Sequence, residues 1–81
     1  MKMWFLYVLK SLKDGKRYIG STNNLERRFR EHNQGKVSST KYRTPFVVLY
    51  KEIFEKESDA RLREAYFKTH KGFNDLNRLL P

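Results

Sequence analysis

Tyr7 and Tyr18 flank an Asp14-Gly15 pair, the dipeptide that most strongly marks a two-residue hairpin. If the hairpin is symmetric about that pair, residues whose numbers sum to 29 oppose each other, so Ser11 faces Tyr18. Tyr7 then shares a face with Tyr18, and their Cα atoms stand about 13 Å apart at about 3.3 Å per residue. Two phenols leaning across that gap could converge on one ligand. Either tyrosine alone would equally suit a core or rim position.

Leu25, Arg28, Phe29 and His32 follow an i, i+3, i+4, i+7 pattern, one stripe of a helix. Leu25 and Phe29 are its only strong apolar anchors, so the stripe faces the protein and carries Arg28 and His32 with it. Arg27, Arg30 and Glu31 point to water. A guanidinium on the inner side is costly unless a carboxylate or a bound phosphate meets it, or unless it snorkels from the stripe's edge. Further on, Ala60, Glu64 and Phe67 share one side of a second helix, while Leu62, Ala65 and Tyr66 share another. Glu64 is thus a carboxylate among apolar neighbours: a metal ligand, a partner for Arg28, or an ordinary i, i+4 pair with Lys68.

The elements that must position these residues are short and well marked. Met3 to Ser11 reads as a strand apolar on both faces, hence central in its sheet. Arg17 to Gly20 is the returning strand, and Ser21 to Asn24 is a turn rich in capping residues. Leu25 to about Asn33 is the first helix, with Gly35 past its end. Lys36 to Pro45 is a basic loop, and Phe46 to Phe54 a β-branched and aromatic strand. Ser58 would cap a second helix from Asp59 to about His70, closed by Gly72. Phe73 to Leu80 forms a third, with Asn74 near its start. The order ββαβαα in one short chain predicts a small α/β sandwich.

Eighty-one residues allow one core, here read as a single domain over 1–81. Six Phe, five Tyr and one Trp supply large buried areas without staples. The absence of Cys excludes disulfides and thiolate zinc sites and suits a cytoplasmic protein. The longest apolar run, Trp4 to Leu9, is too short for a membrane span, so no membrane partner is expected. Eighteen Lys plus Arg against nine Asp plus Glu give a net charge of +9, which points to a polyanion and first to nucleic acid. No Walker loop, paired-His motif, dinucleotide-binding glycine set or Ser/His/Asp constellation is present.

Together these residues resemble the GIY-YIG nuclease family. The first half-motif appears as Phe5-Leu6-Tyr7, keeping only the tyrosine, and the second is intact as Tyr18-Ile19-Gly20. The run GSTNNLERRFREHN, Gly20 to Asn33, is similar to the family's helix, with Arg28 ten positions after Tyr18 and His32 one turn later. Leu62-Arg63-Glu64-Ala65 matches the segment bearing the family's metal-binding glutamate. The resemblance spans nearly the whole chain and is closest to the small stand-alone bacterial branch (UPF0213-like). It implies the GIY-YIG fold, a three-stranded and mainly antiparallel sheet flanked by helices.

The resemblance also implies a metal-dependent endonuclease acting on nucleic acid, DNA before RNA, with weak sequence specificity. Glu64 would hold one Mg²⁺, or another divalent cation such as Mn²⁺, with water and phosphate oxygens completing its shell. Arg28 would meet the charge that develops on phosphorus. Tyr7 or Tyr18 would orient and help deprotonate the attacking water, and the sequence leaves open which. Tyrosine, with an ordinary pKa of about 10, needs help to do so. His32 would bind phosphate or assist the proton transfer. Ser21 stands where some relatives carry Lys. A supporting asparagine found late in relatives falls here on Leu76, with Asn74 and Asn77 out of register.

The alternative is a catalytically weak or inactive nucleic-acid-binding module on the same fold. Lys36, Lys41, Arg43 and Lys71 would grip phosphates and Tyr42 would stack on a base. A solvated connection is the plain account of that loop. A protein partner that targets so small a domain is a third class, for which the sequence offers nothing positive.

Overall fold

The computed structural model describes residues 2–80, so the terminal residues of the expected 1–81 domain lie outside it. The chain forms β1 (Trp4–Ser11), β2 (Arg17–Thr22), α1 (Leu25–Asn33), β3 (Phe46–Phe54), α2 (Glu57–Phe67) and α3 (His70–Leu79), in the expected order. The sheet runs β2-β1-β3 and is antiparallel throughout. β1 is central, as its two apolar faces require. Leu6 and Val8 point to a core with Phe67 and Leu76 from α2 and α3. Tyr7 and Leu9 point the other way, to Phe46 and the α1 residues Leu25 and Phe29.

β3 serves both faces through a bulge. Its register against β1 shifts between Val8 and Leu9, leaving Leu49 unopposed. Phe46, opposite Ser11, therefore falls on the α1 face, whereas Tyr50 and Phe54, opposite Val8 and Trp4, fall on the α2/α3 face. Asn33 fastens the end of α1 to this strand: its side chain accepts from the Phe46 N–H at 2.7 Å and donates to the Phe46 carbonyl at 3.2 Å.

The hairpin differs from the symmetric arrangement. Opposed residues sum to 27, not 29, so Tyr18 faces Leu9 and Tyr7 faces Gly20. The Ser11 hydroxyl accepts from both the Lys13 and Asp14 N–H groups, and Gly15 takes a positive φ of 72°. These contacts build a four-residue loop, Leu12 to Gly15, closed by the Ser11 N–H on the Lys16 carbonyl. A two-residue turn at Asp14-Gly15 would leave the buried Ser11 hydroxyl without those donors.

The later helices also shift. α2 starts at Glu57 after Lys56, without a side-chain cap from Ser58. The chain breaks at Lys68 and Thr69, and the Thr69 hydroxyl accepts from the Gly72 N–H to start α3 at His70. Asn74 therefore lies inside α3, and Gly72 opens that helix rather than closing α2. A Cβ on Gly72 would stand 1.7 Å from the Tyr66 carbonyl oxygen, so glycine lets α3 fold tightly back on α2. Among the described residues no helix is long and apolar enough to cross a membrane.

Candidate active site

The 27 register brings the two tyrosines two residues closer along the hairpin than the symmetric turn does. Their ring centroids lie 6.3 Å apart, and the His32 ring sits 5.8 Å from Tyr7 and 4.9 Å from Tyr18. Leu25 and Phe29 dock α1 on the sheet, which carries His32 into full burial. There its Nε2 lies 3.0 Å from the Tyr7 hydroxyl and its Nδ1 2.8 Å from the Thr40 hydroxyl. Tyr7, His32 and Thr40 are each 1 % exposed or less, so this polar chain runs through the interior.

Burial, joined by the facing Tyr18 phenol, pushes the Tyr7 pKa up to about 12, with Arg28 pulling the other way. Burial, joined by the positive charge of Arg28, pushes His32 down to about 4. Both groups are therefore neutral at pH 7. Thr40 can donate to the Val37 carbonyl, 3.4 Å away. Its oxygen then accepts from His32 Nδ1–H, leaving the Nε2 lone pair to accept from the Tyr7 O–H. This tautomer is assigned from the network, since it gives every buried group a partner.

Gly20, itself buried, makes room for the end of that chain. A Cβ there would stand 2.6 Å from the Tyr7 hydroxyl oxygen and 3.1 Å from Tyr18 Cε2. Only glycine lets the Tyr7 phenol lie across β2, an edge strand. The next residue, Ser21, points to the opposite face, where its hydroxyl donates to Glu64 Oε1 at 2.6 Å. Lys68 donates to the other carboxylate oxygen at 2.7 Å. Partial burial would raise the Glu64 carboxyl, but the hydrogen bonds from Lys68 and Ser21 outweigh it and hold the group below its ordinary range. The two sets of groups thus meet the edge strand one residue apart and on opposite faces, Tyr7 at Gly20 and Glu64 at Ser21.

α2 turns its Ala60–Phe67 side inward, with both residues fully buried, and leaves Leu62 70 % exposed. Glu64 is therefore on the inner side, and it meets Ser21 and Lys68 rather than Arg28. Arg28 sits beside the Tyr7 phenol and donates to Glu31 at 3.2 Å, with 38 % of its side chain exposed. Its charge faces the site from the mouth rather than the interior.

The basic loop divides. Its Arg43 is paired with Asp14 at 2.9 Å, and its carbonyl accepts from Ser11. Tyr42 is 76 % exposed, with the Lys41 ammonium 4.9 Å from its ring centre. Lys36 is exposed, as is Lys71 on α3. Sequence reasoning missed Thr40, one hydroxyl among several in a loop without periodicity, and did not foresee why position 20 must be glycine.

A family model described as the GIY-YIG catalytic domain matches residues 3–77. The chain belongs to the GIY-YIG family. It is 41 % identical over 70 residues to a UPF0213 protein of Staphylococcus haemolyticus, covering 85 % of this chain and 84 % of that one. It is 43 % identical over 67 residues to a UPF0213 protein of Clostridium perfringens, covering 82 % and 71 %. The solution NMR structure of a UPF0213 protein from Bacillus halodurans matches with a TM-score of 0.58 at 29 % identity, over 95 % of this chain and 84 % of that one. The resemblance read from the sequence is thereby borne out, as is the fold.

The two glycine positions of the GIY-YIG motif are physically unlike. Phe5 replaces the first, and its half-buried ring lines a shallow pocket with Leu25, where nothing is displaced. Gly20 fills the second and is sterically required. Leu76 is a fully buried member of the core, while Asn77 beside it reaches β2 and accepts from Arg17 at 2.6 Å.

Proposed function

We propose that this GIY-YIG chain is a metal-dependent endonuclease that hydrolyses phosphodiester bonds in nucleic acid, DNA before RNA, with weak sequence specificity. The observation that carries the reading is the buried Thr40–His32–Tyr7 chain, which ends at Gly20 one residue from the Ser21-held Glu64 carboxylate. A proton path and a fixed carboxylate that meet one edge strand suit hydrolysis of an anionic ester.

Among the described residues no group of three or more His, Cys, Asp or Glu converges. A single carboxylate fits Mg²⁺ or Mn²⁺ held largely by water and phosphate oxygens, and it does not fit a protein cage for zinc or calcium. When bound at Glu64, such an ion supplies Lewis-acid polarisation of the phosphate and charge for the leaving oxygen. Ser21 fixes the rotamer of Glu64. Lys68 neutralises its free oxygen and must release it for the site to load.

Arg28 faces the charge that gathers on the phosphoryl oxygens. A phenol with its pKa near 12 is a poor base by itself, and the acceptor its O–H meets is the Nε2 lone pair of His32. Tyr7 takes a proton from the attacking water as it passes its own to Nε2 of His32. The neutral tautomer held by Thr40 is the one able to receive it. Tyr18, its ring tilted 59° to that of His32, lines the approach. On this reading Tyr7 is the base and His32 its relay.

Nucleic acid reaches the edge past the Lys41–Tyr42 platform, where the exposed ring can stack on a base. So small a surface reads shape and charge better than sequence. The decisive measurement is nicking of supercoiled plasmid, and of branched and single-stranded DNA, with Mg²⁺ and with chelator. Chelator-sensitive cleavage lost in Glu64→Ala supports the reading. The second reading, a binding module without useful catalysis, draws on the apolar Leu76. DNA binding without cleavage on any of these substrates would establish it instead.

A further inference from the structure

Arg17, the first residue of β2, points to the α2/α3 face with Ile19 and Ser21. Its guanidinium lies 4.6 Å over the Phe73 ring, and Nη2 donates to Asn77 Oδ1 at 2.6 Å. Nη1 is buried and has no acceptor. Among the described residues Arg17 is in no ion pair, whereas Arg27, Arg28, Arg43, Arg61, Arg63 and Arg78 each have a carboxylate. A buried N–H on a charged group left without an acceptor is costly. The hairpin, Arg17 and α3 border a cavity of about 400 Å³, lined by Gly15, Lys16, Arg17, Ile19 and Phe73, two cations and no acid. The nearby carboxylates are engaged elsewhere, Asp14 with Arg43 and Asp75 with Arg78.

We propose that this cavity is a second phosphate site, in which Arg17 and Lys16 hold a backbone phosphodiester of the nucleic acid away from the bond being cut. Arg17 and Ser21 are four positions apart on β2, about 13 Å at about 3.3 Å per residue. Both lie on the same face of the same edge strand. A nucleic-acid backbone laid along β2 therefore meets Glu64 at one end and Arg17 at the other. Phe73 and Asn77 hold the guanidinium flat with one edge committed, and Arg17 lines the cavity with Nη1 as its donor still without an acceptor. Lys16, exposed on the hairpin, closes over the anion. The site fixes where the backbone runs and takes no part in chemistry.

The proposal rests on the nuclease reading only for the identity of the anion, and the test separates the two. Affinity of a fluorescein-labelled duplex is measured in chelator, so that nothing is cut, over a series of KCl concentrations. One phosphate contact on duplex DNA contributes about 0.9 to the slope of log K against log salt. Arg17→Gln is expected to reduce that slope by about 0.9 and to weaken binding at low salt, and Arg17→Lys to restore most of it. Lys16→Gln, at an exposed position, gives a similar loss without touching the fold and covers the case in which Arg17→Gln lowers the melting temperature. An unchanged slope in both Gln variants overturns the site, and points to a protein carboxylate or no anion at all. If the slopes fall as expected while wild type cuts nothing in Mg²⁺, the nuclease reading fails and the phosphate site stands.

Discussion

The Tyr7 hydroxyl and Nε2 of His32 meet at 3.0 Å inside the protein, and burial keeps both neutral at pH 7. That contact joins β1 to α1 across 25 residues of sequence. In the proposed mechanism it makes that phenol the first member of a proton relay. Tyr7→Phe keeps the ring and removes the relay. Cleavage should fall by about 10²- to 10⁴-fold with DNA binding retained, as expected for loss of a general base. Tyr18→Phe, if Tyr18 is the base instead, would show the larger loss. Single-turnover rates of the two variants decide between them.

His32 also makes stability depend on pH. Its pKa is about 4 folded against 6.5 as an ordinary imidazole, so between those values the unfolded chain binds the extra proton. Stability therefore rises with pH across that window and is lost as pH falls from about 6.5 toward 4. Urea midpoints at pH 7.5 and 5 should differ in that direction, and His32→Gln should shrink the difference. Equal shifts in wild type and variant would place the titration elsewhere.

Thr40→Val keeps the shape of the side chain and deletes the partner of Nδ1. One buried donor left unpaired should cost about 1–3 kcal/mol in stability. The ring nitrogens should report the change directly: in wild type ¹⁵N shifts of His32 identify Nδ1–H, and in the variant that tautomer loses its preference. Cleavage should fall with it, and Thr40→Ser should recover both.

Gly20→Ala inserts a Cβ 2.6 Å from the Tyr7 oxygen, so Tyr7 must move. A loss of about 1–3 kcal/mol is expected for such overpacking, together with lower cleavage. In a Tyr7→Phe background most of that cost should remain, because the ring carbon Cζ, 2.7 Å from the added Cβ, is still there. Thermal melting of the four proteins in that cycle measures the coupling.

Glu64→Gln retains the bond from Ser21 and removes the charge that would hold a cation. Cleavage should vanish while DNA affinity is kept or improved, since a negative charge has left the surface facing the phosphates. Lys68→Met frees one carboxylate oxygen and should tighten Mn²⁺ binding by calorimetry. As an exposed i, i+4 pair it should alter stability by only about 0.5 kcal/mol or less.

Local pattern alone determined the order ββαβαα, the central place of β1 and the inward stripe Leu25, Arg28, Phe29 and His32, because each is a periodicity that one element must satisfy by itself. The tertiary structure decided the rest. The register moved from 29 to 27 because the Ser11 hydroxyl gathers loop N–H groups that no spacing rule counts. Either side of α2 could have turned inward by pattern, and packing on Leu6 and Val8 chose the one carrying Glu64. Thr40 became the anchor of His32 only because the 36–45 loop is folded against α1 and the hairpin. Elements form from near neighbours along the chain, whereas a buried proton path is built from groups that meet only when those elements pack.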